Sequence, residues 1–257
     1  MVRSSVPRKI LGVIPARFAS TRFPGKVLAQ IAGKTMLQHV YERASLATYL
    51  TSVIIATDDD RVYNVARSFG ARVRMTRSDH LNGTDRAAEV ASAEDADIVV
   101  NIQGDEPLIS PAAIDAAVLP LVHDPELVMG TLKKRIEDRR EITDPNVVKV
   151  VTNRSGNAIY FSRCPIPFDR DKFANTPYFK HIGLYVYRRN FLLAYPALPV
   201  GPLESAERLE QLRALENAFS IRVVETEYES LGVDTPEDLV RVSRLFDASI
   251  LQGRGNG

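Results

Sequence analysis

The sequence lacks the features that mark several common classes of protein. Cys164 is the only cysteine, which excludes an internal disulfide and a multi-cysteine metal cluster and weakly favours a reducing compartment. We expect this isolated thiol to be a packing residue rather than a nucleophile. The apolar run after the basic start of the chain is only as long as a strand, too short for a signal peptide or a membrane span. These absences predict a soluble cytoplasmic protein.

An excess of charge of one sign is also missing. The chain has 33 Lys and Arg against 32 Asp and Glu, so no global field indicates nucleic acid or an anionic membrane as a partner. Neither a G-x-G-x-x-G nor a Walker phosphate loop occurs, which removes the two commonest nucleotide-binding signatures. Any anion site must therefore be local. At 257 residues with 45% hydrophobic content, the chain can bury the core of one large domain, with or without an appendage.

Apolar runs of strand length alternate with segments of helical period, which predicts an α/β fold with a mainly parallel sheet covered on both faces. The predicted strands are 9–15, 52–57, 72–75, 98–103, 127–134, 147–152, 158–162, 181–188 and 221–225. The predicted helices include segments around 36–44 and 62–69, one from the loop at 79–86 to about Glu94, one from Pro111, and 236–251. The acidic run 58–60 is expected to begin the second of these helices and Gly70 to stop it, and Thr235 is expected to cap the last.

From about 127 to 200 the strands follow one another closely, with proline-rich connections, which predicts an antiparallel element appended to the sheet. In the strand 181–188, His181, Gly183, Tyr185 and Tyr187 alternate with apolar residues, so one face should meet the core and the other a ligand. A single amphipathic helix is predicted over 204–218. Glu210 and Gln211 flank its apolar stripe and either bind hydroxyl groups or are merely solvated.

Three cations lie within ten residues on the loop that follows the first strand: Arg17, Arg22 and Lys26. Ligands bind outside the carboxyl ends of strands in open α/β sheets, so this position suits a polyphosphate. Proline stiffens the loop, and Gly25 permits close approach of the backbone to an oxyanion. The alternative is a surface loop that is basic for solubility alone. We expect a nucleoside triphosphate.

Two acidic residues are candidate metal ligands. Asp105 follows the strand 98–103 and should reach the same edge of the sheet as the cationic loop. A carboxylate beside a triphosphate would repel it unless a hard cation lay between them, which suggests Mg²⁺. Asp234, far along the chain, is equally explained as part of a helix entry.

Three further candidates have structural alternatives. Gly83 and Thr84 could present backbone amides and a hydroxyl to a nucleotide, but capping of the following helix by Thr84 or Asp85 explains them almost as well. Arg163 could clamp a carboxylate with its planar guanidinium or form a surface ion pair.

Taken together, these segments resemble the 3-deoxy-manno-octulosonate (Kdo) cytidylyltransferases from Val13 to about Leu239. The most specific motifs are Ile14-Pro15-Ala16-Arg17-x-x-Ser20-Thr21-Arg22-x-Pro24-Gly25-Lys26, Asn101-x-Gln103-Gly104-Asp105-Glu106-Pro107, Tyr160-Phe161-Ser162-Arg163, Lys180-His181-x-Gly183-x-Tyr185, Leu209-Glu210-Gln211-Leu212-Arg213 and Gly232-Val233-Asp234-Thr235-Pro236-Glu237-Asp238-Leu239. One departure is Leu81-Asn82 before Gly83, where many relatives have a small hydroxylated residue.

The resemblance implies a Rossmann-like nucleotidyltransferase fold, a single domain over 1–257 in which 127–200 serves sugar binding and dimerisation, a homodimer, CTP and Kdo as substrates, and Mg²⁺ as cofactor. It implies that CTP is bound by Ala16, Arg17, Ser20, Arg22, Lys26, Gly83 and Thr84. It further implies Asp105 and Asp234 as Mg²⁺ ligands that act with Arg17 and Lys26 in catalysis. The sugar acid would face Gln103, Arg163, His181, Tyr185, Glu210 and Gln211.

The resemblance leaves related activities open. A CMP-sialic acid synthetase, or an enzyme for an amino-substituted octulosonate, would share the sheet and the first loop but differ in its sugar contacts. A catalytically silent nucleotide-binding regulator on the same fold is the alternative from another class.

Overall fold

The computed structural model describes residues 8–19, 23–171 and 176–254, with backbone alone from 248 onwards. Its strands are β1 (Ile10–Pro15), β2 (Gln30–Ile31), β3 (Lys34–Thr35), β4 (Ser52–Thr57), β5 (Arg72–Met75), β6 (Ile98–Asn101), β7 (Met129–Arg135), β8 (Lys149–Thr152), β9 (Ala158–Ser162), β10 (Phe179–Arg188) and β11 (Ile221–Glu225). Its α-helices are α1 (Met36–Ala44), α2 (Asp60–Ser68), α3 (Gly83–Ser92), α4 (Pro111–His123), α5 (Arg140–Thr143), α6 (Arg189–Ala194), α7 (Pro202–Glu207), α8 (Leu212–Glu216) and α9 (Pro236–Arg254).

One large sheet organises the molecule, in the order β11-β7-β10-β6-β1-β4-β5. Strands β6, β1, β4 and β5 are parallel, whereas β10 runs antiparallel to both of its neighbours. The prediction of a mainly parallel α/β sheet with an antiparallel part is confirmed. Strands β7 and β10 of the segment 127–200 lie within the main sheet, and only β8 and β9 branch from it.

The core lies on both faces of the sheet because its central strands are apolar on both sides. Ile10 and Ile14 of β1 pack into one apolar cluster, and Leu11 and Val13 into the other. The helices α1 and α4 contribute to the first cluster, and α3 contributes to the second. No helix of the described residues is long and apolar enough to cross a membrane.

One face of β10 was expected to be free to meet a ligand, and the structure corrects this expectation. Ile182, Leu184 and Val186 belong to the first core cluster, as the alternation predicts. Tyr187 is 1% exposed, and it belongs to the second cluster. The second face is therefore packed against other parts of the protein, and two of its residues, Tyr185 and Tyr187, also border a cavity.

The single helix predicted over 204–218 is wrong. The chain forms two short helices, α7 and α8, and Arg208 between them has a φ of +54°, a left-handed conformation that cannot continue a helix. The helical spacing of the leucines did not reveal this break, because Leu209 and Leu212 are buried whether the helix is continuous or broken. The break carries Glu210 and Gln211 into the protein interior rather than onto a solvated helix face.

Helix capping accounts for several of the loops around the sheet edge. Asp59 caps α2, which confirms that the acidic run 58–60 starts a helix, and Gly70 with a φ of +80° follows that helix. At the start of α9, the Thr235 hydroxyl accepts from the Asp238 amide at 3.2 Å, and the Asp238 carboxylate accepts from the Thr235 amide at 3.1 Å. This reciprocal capping confirms Thr235 as the cap of the last helix.

Candidate active site

A cleft of about 410 Å³ opens at the carboxyl ends of β1 and β6. The two strands are parallel neighbours, with Val13 paired to Asn101, so the loops that follow them leave the same edge of the sheet. The order of the sheet reverses at β1, which is the position where open α/β sheets bind ligands. The cleft is lined by Pro15, Arg17, Ala19, Lys26, Val27, Asn82, Gly83, Gln103, Gly104, Asp105 and Asp234.

Lys26 joins the two predicted metal ligands at the floor of this cleft. Its Nζ lies 2.6 Å from Asp105 Oδ2 and 2.9 Å from Asp234 Oδ1. Burial alone lowers the pKa of Lys26, but the Asp105 and Asp234 carboxylates outweigh it and raise the pKa above its ordinary value. The structure thus brings Asp105 and Asp234 together around one positive charge, although they are far apart in the sequence.

This arrangement fits a divalent cation. The ammonium of Lys26 stands in for a metal ion, because it shows that the space between the two carboxylates holds positive charge. Mg²⁺ is commonly bound by one or two carboxylates, with the substrate's phosphate oxygens completing its shell. Among the described residues no group of three or more His, Cys, Asp or Glu side chains could hold a metal, so further ligands would come from substrate or water.

Arg17 reaches the cleft from the loop after β1. Its Nη2 donates to the carbonyl of His80 and, at 3.4 Å, to that of Asn82. Burial, followed by the nearby Arg86, lowers the pKa of Arg17 below its ordinary value. The Ala16 side chain is fully buried in the core, and its amide donates to the Ala56 carbonyl at 2.8 Å. Ser20 and Arg22 lie outside the described residues.

Gly83 and Thr84, both predicted to bind CTP, have different surroundings. The N-cap of α3 is Asn82, whose side-chain oxygen accepts from the Asp85 amide at 2.8 Å, so the alternative explanation, capping by Thr84 or Asp85, is wrong. Gly83 lines the cleft, whereas Thr84 is 4% exposed and faces a second cavity. The Thr84 hydroxyl therefore points away from the predicted CTP site, because successive residues of a helix start project in different directions.

The second cavity, of about 220 Å³, adjoins the cleft and shares Gly83 and Gln103 with it. It is lined by Gly83, Thr84, Asn101, Gln103, Tyr185, Tyr187, Glu210 and Gln211. Four of the six residues predicted to face the sugar meet there: Gln103, Tyr185, Glu210 and Gln211. Gln103 stands at the junction, where its Nε2 donates to the Gly183 carbonyl at 3.2 Å.

Thr84 is the centre of a polar group in this second cavity. It accepts from Asn101 Nδ2 at 3.3 Å and is hydrogen-bonded to the Glu210 carboxylate. Asn101 Oδ1 and Glu210 Oε1 are buried acceptors without a hydrogen-bond partner among the described residues. Unpaired buried acceptors are costly, so both favour a ligand that donates hydrogen bonds. Burial raises the pKa of Glu210 from 4.5 to about 7, against the hydrogen bond from Thr84.

His181 and Arg163 do not line the second cavity. His181 Nε2 lies 2.9 Å from Thr131 Oγ1, and its ring contacts those of Phe161 and Tyr185. Burial lowers the pKa of His181 to about 3, so the ring is neutral at physiological pH. His181 contacts Tyr185, which lines the cavity, but His181 itself does not line it.

Arg163 is hydrogen-bonded to backbone carbonyls in this structure. Its guanidinium donates to the carbonyls of Glu207 and Pro145 at 2.8 Å each, and its amide donates to Glu207 Oε2 at 2.9 Å. The guanidinium thus forms no surface ion pair with the described residues. A role as carboxylate clamp stays a prediction, and it would require Arg163 to exchange these carbonyls for substrate.

Three residues at the site were missed by the sequence analysis. Asn101 is a polar residue at 2% exposure in an otherwise apolar buried strand, which was a usable signal. Asn82 immediately before Gly83 had the residue type of a helix cap. Gly104 lies so close to β1 that a Cβ atom there would be 2.7 Å from the Pro15 carbonyl oxygen, a proximity that no sequence pattern reveals.

Comparison with known proteins is consistent with this geometry. Residues 11–223 match the model of the cytidylyltransferase family. The 3-deoxy-manno-octulosonate cytidylyltransferase of Solibacter usitatus is 83% identical over 252 residues, covering 98% of this chain and all of that protein. The chain belongs to the 3-deoxy-manno-octulosonate cytidylyltransferase family. Its counterpart in Geobacter metallireducens is 59% identical, covering 91% of this chain and 96% of that protein.

Solved structures extend the comparison to three dimensions. The structure of CMP:2-keto-3-deoxy-manno-octonic acid synthetase complexed with CTP has a TM-score of 0.90 and 44% identity, covering 94% of this chain and 99% of that one. A cytidylyltransferase from Leptospira borgpetersenii, at 19% identity and a TM-score of 0.60, shares the fold; that match covers 92% of this chain and 85% of that one. The fold and the nucleotidyltransferase class predicted from the sequence are thereby confirmed.

Proposed function

We propose that this chain transfers CMP from CTP to the C2 hydroxyl of Kdo and releases pyrophosphate, which supplies activated sugar for lipopolysaccharide synthesis. The observation that carries the proposal is the pair of joined cavities. One cavity has a cation between two carboxylates, as a metal-bound triphosphate requires. The other cavity has buried acceptors that await hydroxyl donors, as a polyhydroxylated sugar provides. The names of the relatives support the same pair of substrates.

The nucleotide occupies the first cavity in this proposal. Arg17 and Lys26 stabilise the phosphates electrostatically, and the amide of Gly83 at the start of α3 adds a fixed donor. Ala16, Ser20 and Arg22 contribute through the loop after β1, and Thr84 acts from behind Gly83 rather than by direct contact. Lys26 exchanges part of its interaction with Asp105 and Asp234 for the phosphates when CTP binds.

Asp105 and Asp234 would hold Mg²⁺ in this proposal. Both present hard oxygen donors to one point in the cleft, which is the ligand type that Mg²⁺ prefers. When bound, the ion would neutralise charge on the phosphates and lower the pKa of a hydroxyl that it contacts.

The sugar occupies the second cavity. Gln103 lies at the junction of the two cavities and positions the C2 hydroxyl towards the α-phosphate. Asn101 and Glu210 accept hydrogen bonds from sugar hydroxyls, and Tyr185 and Gln211 complete the wall. The oxygen of C2 then forms a bond to the α-phosphorus, the bond to the bridging oxygen of pyrophosphate breaks, and the hydroxyl proton is released to solvent.

His181 and Arg163 act at the margin of the sugar site. A neutral His181 orients neighbouring groups through its hydrogen bond to Thr131, which suits positioning better than proton transfer. Arg163 approaches the sugar carboxylate only after it leaves the carbonyls that it contacts here.

We also propose that the chain is one nucleotidyltransferase domain that works as a homodimer in the cytoplasm, where CTP is available. The resemblance of the full chain to the family supports the dimer, with residues 127–200 contributing to its interface as well as to the sugar site. The wall of the sugar site includes Tyr185 from this segment, which supports the second of these roles.

Pyrophosphate release from CTP tests the proposal. We expect release with Kdo and Mg²⁺, and much slower release with sialic acid or an amino-substituted octulosonate. Preference for the amino-substituted sugar or for sialic acid would assign one of those activities instead. Absence of release with all three sugars, alongside retained CTP binding, would indicate a nucleotide-binding regulator.

A further inference from the structure

Asp234 reaches the cleft on a segment without regular secondary structure. Residues 226–234 lie between β11 and α9, and they form no helix or strand. A carboxylate that must meet Asp105 within a few ångströms therefore depends on whatever fixes this segment. Loops of this kind open more readily than packed elements unless specific contacts hold them.

Glu106, the residue after Asp105, provides such a contact. It is 7% exposed, and its Oε2 accepts a hydrogen bond from the Tyr228 hydroxyl at 2.9 Å. The Ser230 hydroxyl is hydrogen-bonded to the same carboxylate. One buried carboxylate therefore holds two side chains of the segment that carries Asp234. Breaking a buried hydrogen bond leaves its donor or acceptor without a partner, which costs more free energy than breaking one exposed to water.

A backbone contact completes the connection. The amide of Val233 donates to the carbonyl of Asp105 at 2.9 Å, directly before Asp234 in the chain. Val233 itself is fully buried. Residues 105 and 106 thus hold the segment at two places, through the Asp105 carbonyl and the Glu106 side chain. These contacts act beside two others at Asp234 itself, whose amide donates to Asp238 at 3.2 Å and whose carboxylate contacts Lys26.

We propose that Glu106 is a positioning residue that fixes the segment 226–234 and thereby places Asp234 opposite Asp105. The proposal rests on the proposed function only for its kinetic readout. Glu106 contacts neither cavity, so it acts through Tyr228 and Ser230 rather than on substrate. A second anchor lies further from the site, where Glu229 meets Lys134 at 2.8 Å and Lys180 at 2.5 Å.

The alternative is that the bond between Glu106 and Tyr228 only adds stability. This alternative predicts lower thermal stability in variants and an unchanged requirement for metal. Our proposal predicts a weaker metal site even at temperatures where the variant is fully folded, because the second carboxylate spends less time in position.

The test uses E106A, E106Q and Y228F, with the exposed Tyr49→Phe as the matched control. The first readout is hydrogen exchange of amides 229–234 in the ligand-free protein, where we expect about tenfold faster exchange in E106A and Y228F. The second is the Mg²⁺ concentration for half-maximal pyrophosphate release, expected to rise about tenfold in both variants while the KM for CTP at saturating Mg²⁺ stays within about twofold. E106Q retains an acceptor for Tyr228 and should recover most of both effects.

Unchanged exchange at 229–234 in E106A and Y228F would overturn the proposal. So would unchanged Mg²⁺ dependence in variants that exchange faster, since the contact would then be structural alone. A wild-type protein that releases no pyrophosphate with any sugar would refute the proposed function instead, and the exchange measurement would still decide whether Glu106 holds the segment.

Discussion

Glu210 allows a prediction in which stability and pH are linked in an unusual direction. Burial raises its pKa from 4.5 to about 7, so the folded protein binds a proton at this site more tightly than the unfolded chain does. Glu210 therefore lowers the free energy of unfolding as pH rises from 4.5 to about 7, and this loss of stability is complete above that range. At about 1.4 kcal/mol per pH unit, the penalty amounts to about 3 kcal/mol.

The variant E210Q removes this penalty because its amide has no charge to desolvate. We expect E210Q to be more stable than the wild type by up to about 3 kcal/mol at pH 8, and by little at pH 4.5. In a protein of this size that gain corresponds to a rise in Tm of roughly 6–12 °C at pH 8. The same variant should bind Kdo less well, because an amide nitrogen replaces one acceptor oxygen.

The assay is urea or thermal unfolding of both proteins at several pH values from 4.5 to 8. Glu207→Gln is a matched control on the same segment. Burial raises the pKa of Glu207, but hydrogen bonds from the Arg163 amide, Ser162 and Tyr160 outweigh it and lower the pKa below 4.5. Glu207 therefore stabilises the fold above pH 4.5, and this stability is lost as pH falls. E207Q should be destabilised at pH 8, opposite in sign to E210Q. An equal effect of E210Q at every pH would refute the reasoning.

Three further predictions concern the site and its support. Gly104→Ala places a Cβ 2.7 Å from a backbone oxygen, so it should lower the free energy of unfolding by about 1–3 kcal/mol and remove most of the activity. Gly183→Ala, with open space around it, should change the free energy of unfolding little. Equal losses in the two variants would contradict this reasoning. Arg213→Ala breaks a buried ion pair with Glu204, whose two hydrogen bonds are 2.6 and 2.8 Å long, and should lower the free energy of unfolding in urea by about 3–5 kcal/mol. The double variant with Glu204→Ala should lose less than the sum of the two single variants, because the two residues stabilise each other. Additive losses would argue against this coupling. Asp105→Ala should abolish turnover with the fold intact by circular dichroism, and near-normal CMP-sugar formation across a range of Mg²⁺ concentrations would contradict the metal assignment.

The sequence was sufficient for the elements that depend on local pattern and on the rules of parallel sheets. Adjacent parallel strands open at one edge, so strand order and loop position were enough to bring the loops carrying Lys26 and Asp105 together. Asp234 had two explanations because the same residues form a helix entry, and the structure shows that entry together with a contact between Asp234 and Lys26. Its meeting with Asp105 depends on long-range contacts that have no sequence period.

The parts that could not be predicted depend on what packs over a residue. The left-handed Arg208 divides the expected helix and places Glu210 at the wall of a cavity, where burial raises its pKa. Tyr187 alternates as a ligand-facing residue should and lines the second cavity, but Phe191 of α6 also packs against it, so it is 1% exposed. Periodicity identifies a face of a strand, and only tertiary structure shows what lies against it.

The central claim is that Asp105 and Asp234 hold one divalent ion between them when CTP is bound. Anomalous diffraction from crystals grown with CTP and Mn²⁺, a substitute for Mg²⁺, tests it most directly. We predict a metal peak within coordination distance of a carboxylate oxygen of both residues, with Lys26 displaced towards the phosphates. An ion held by the phosphates alone, with either carboxylate turned out of the cleft, would contradict the account.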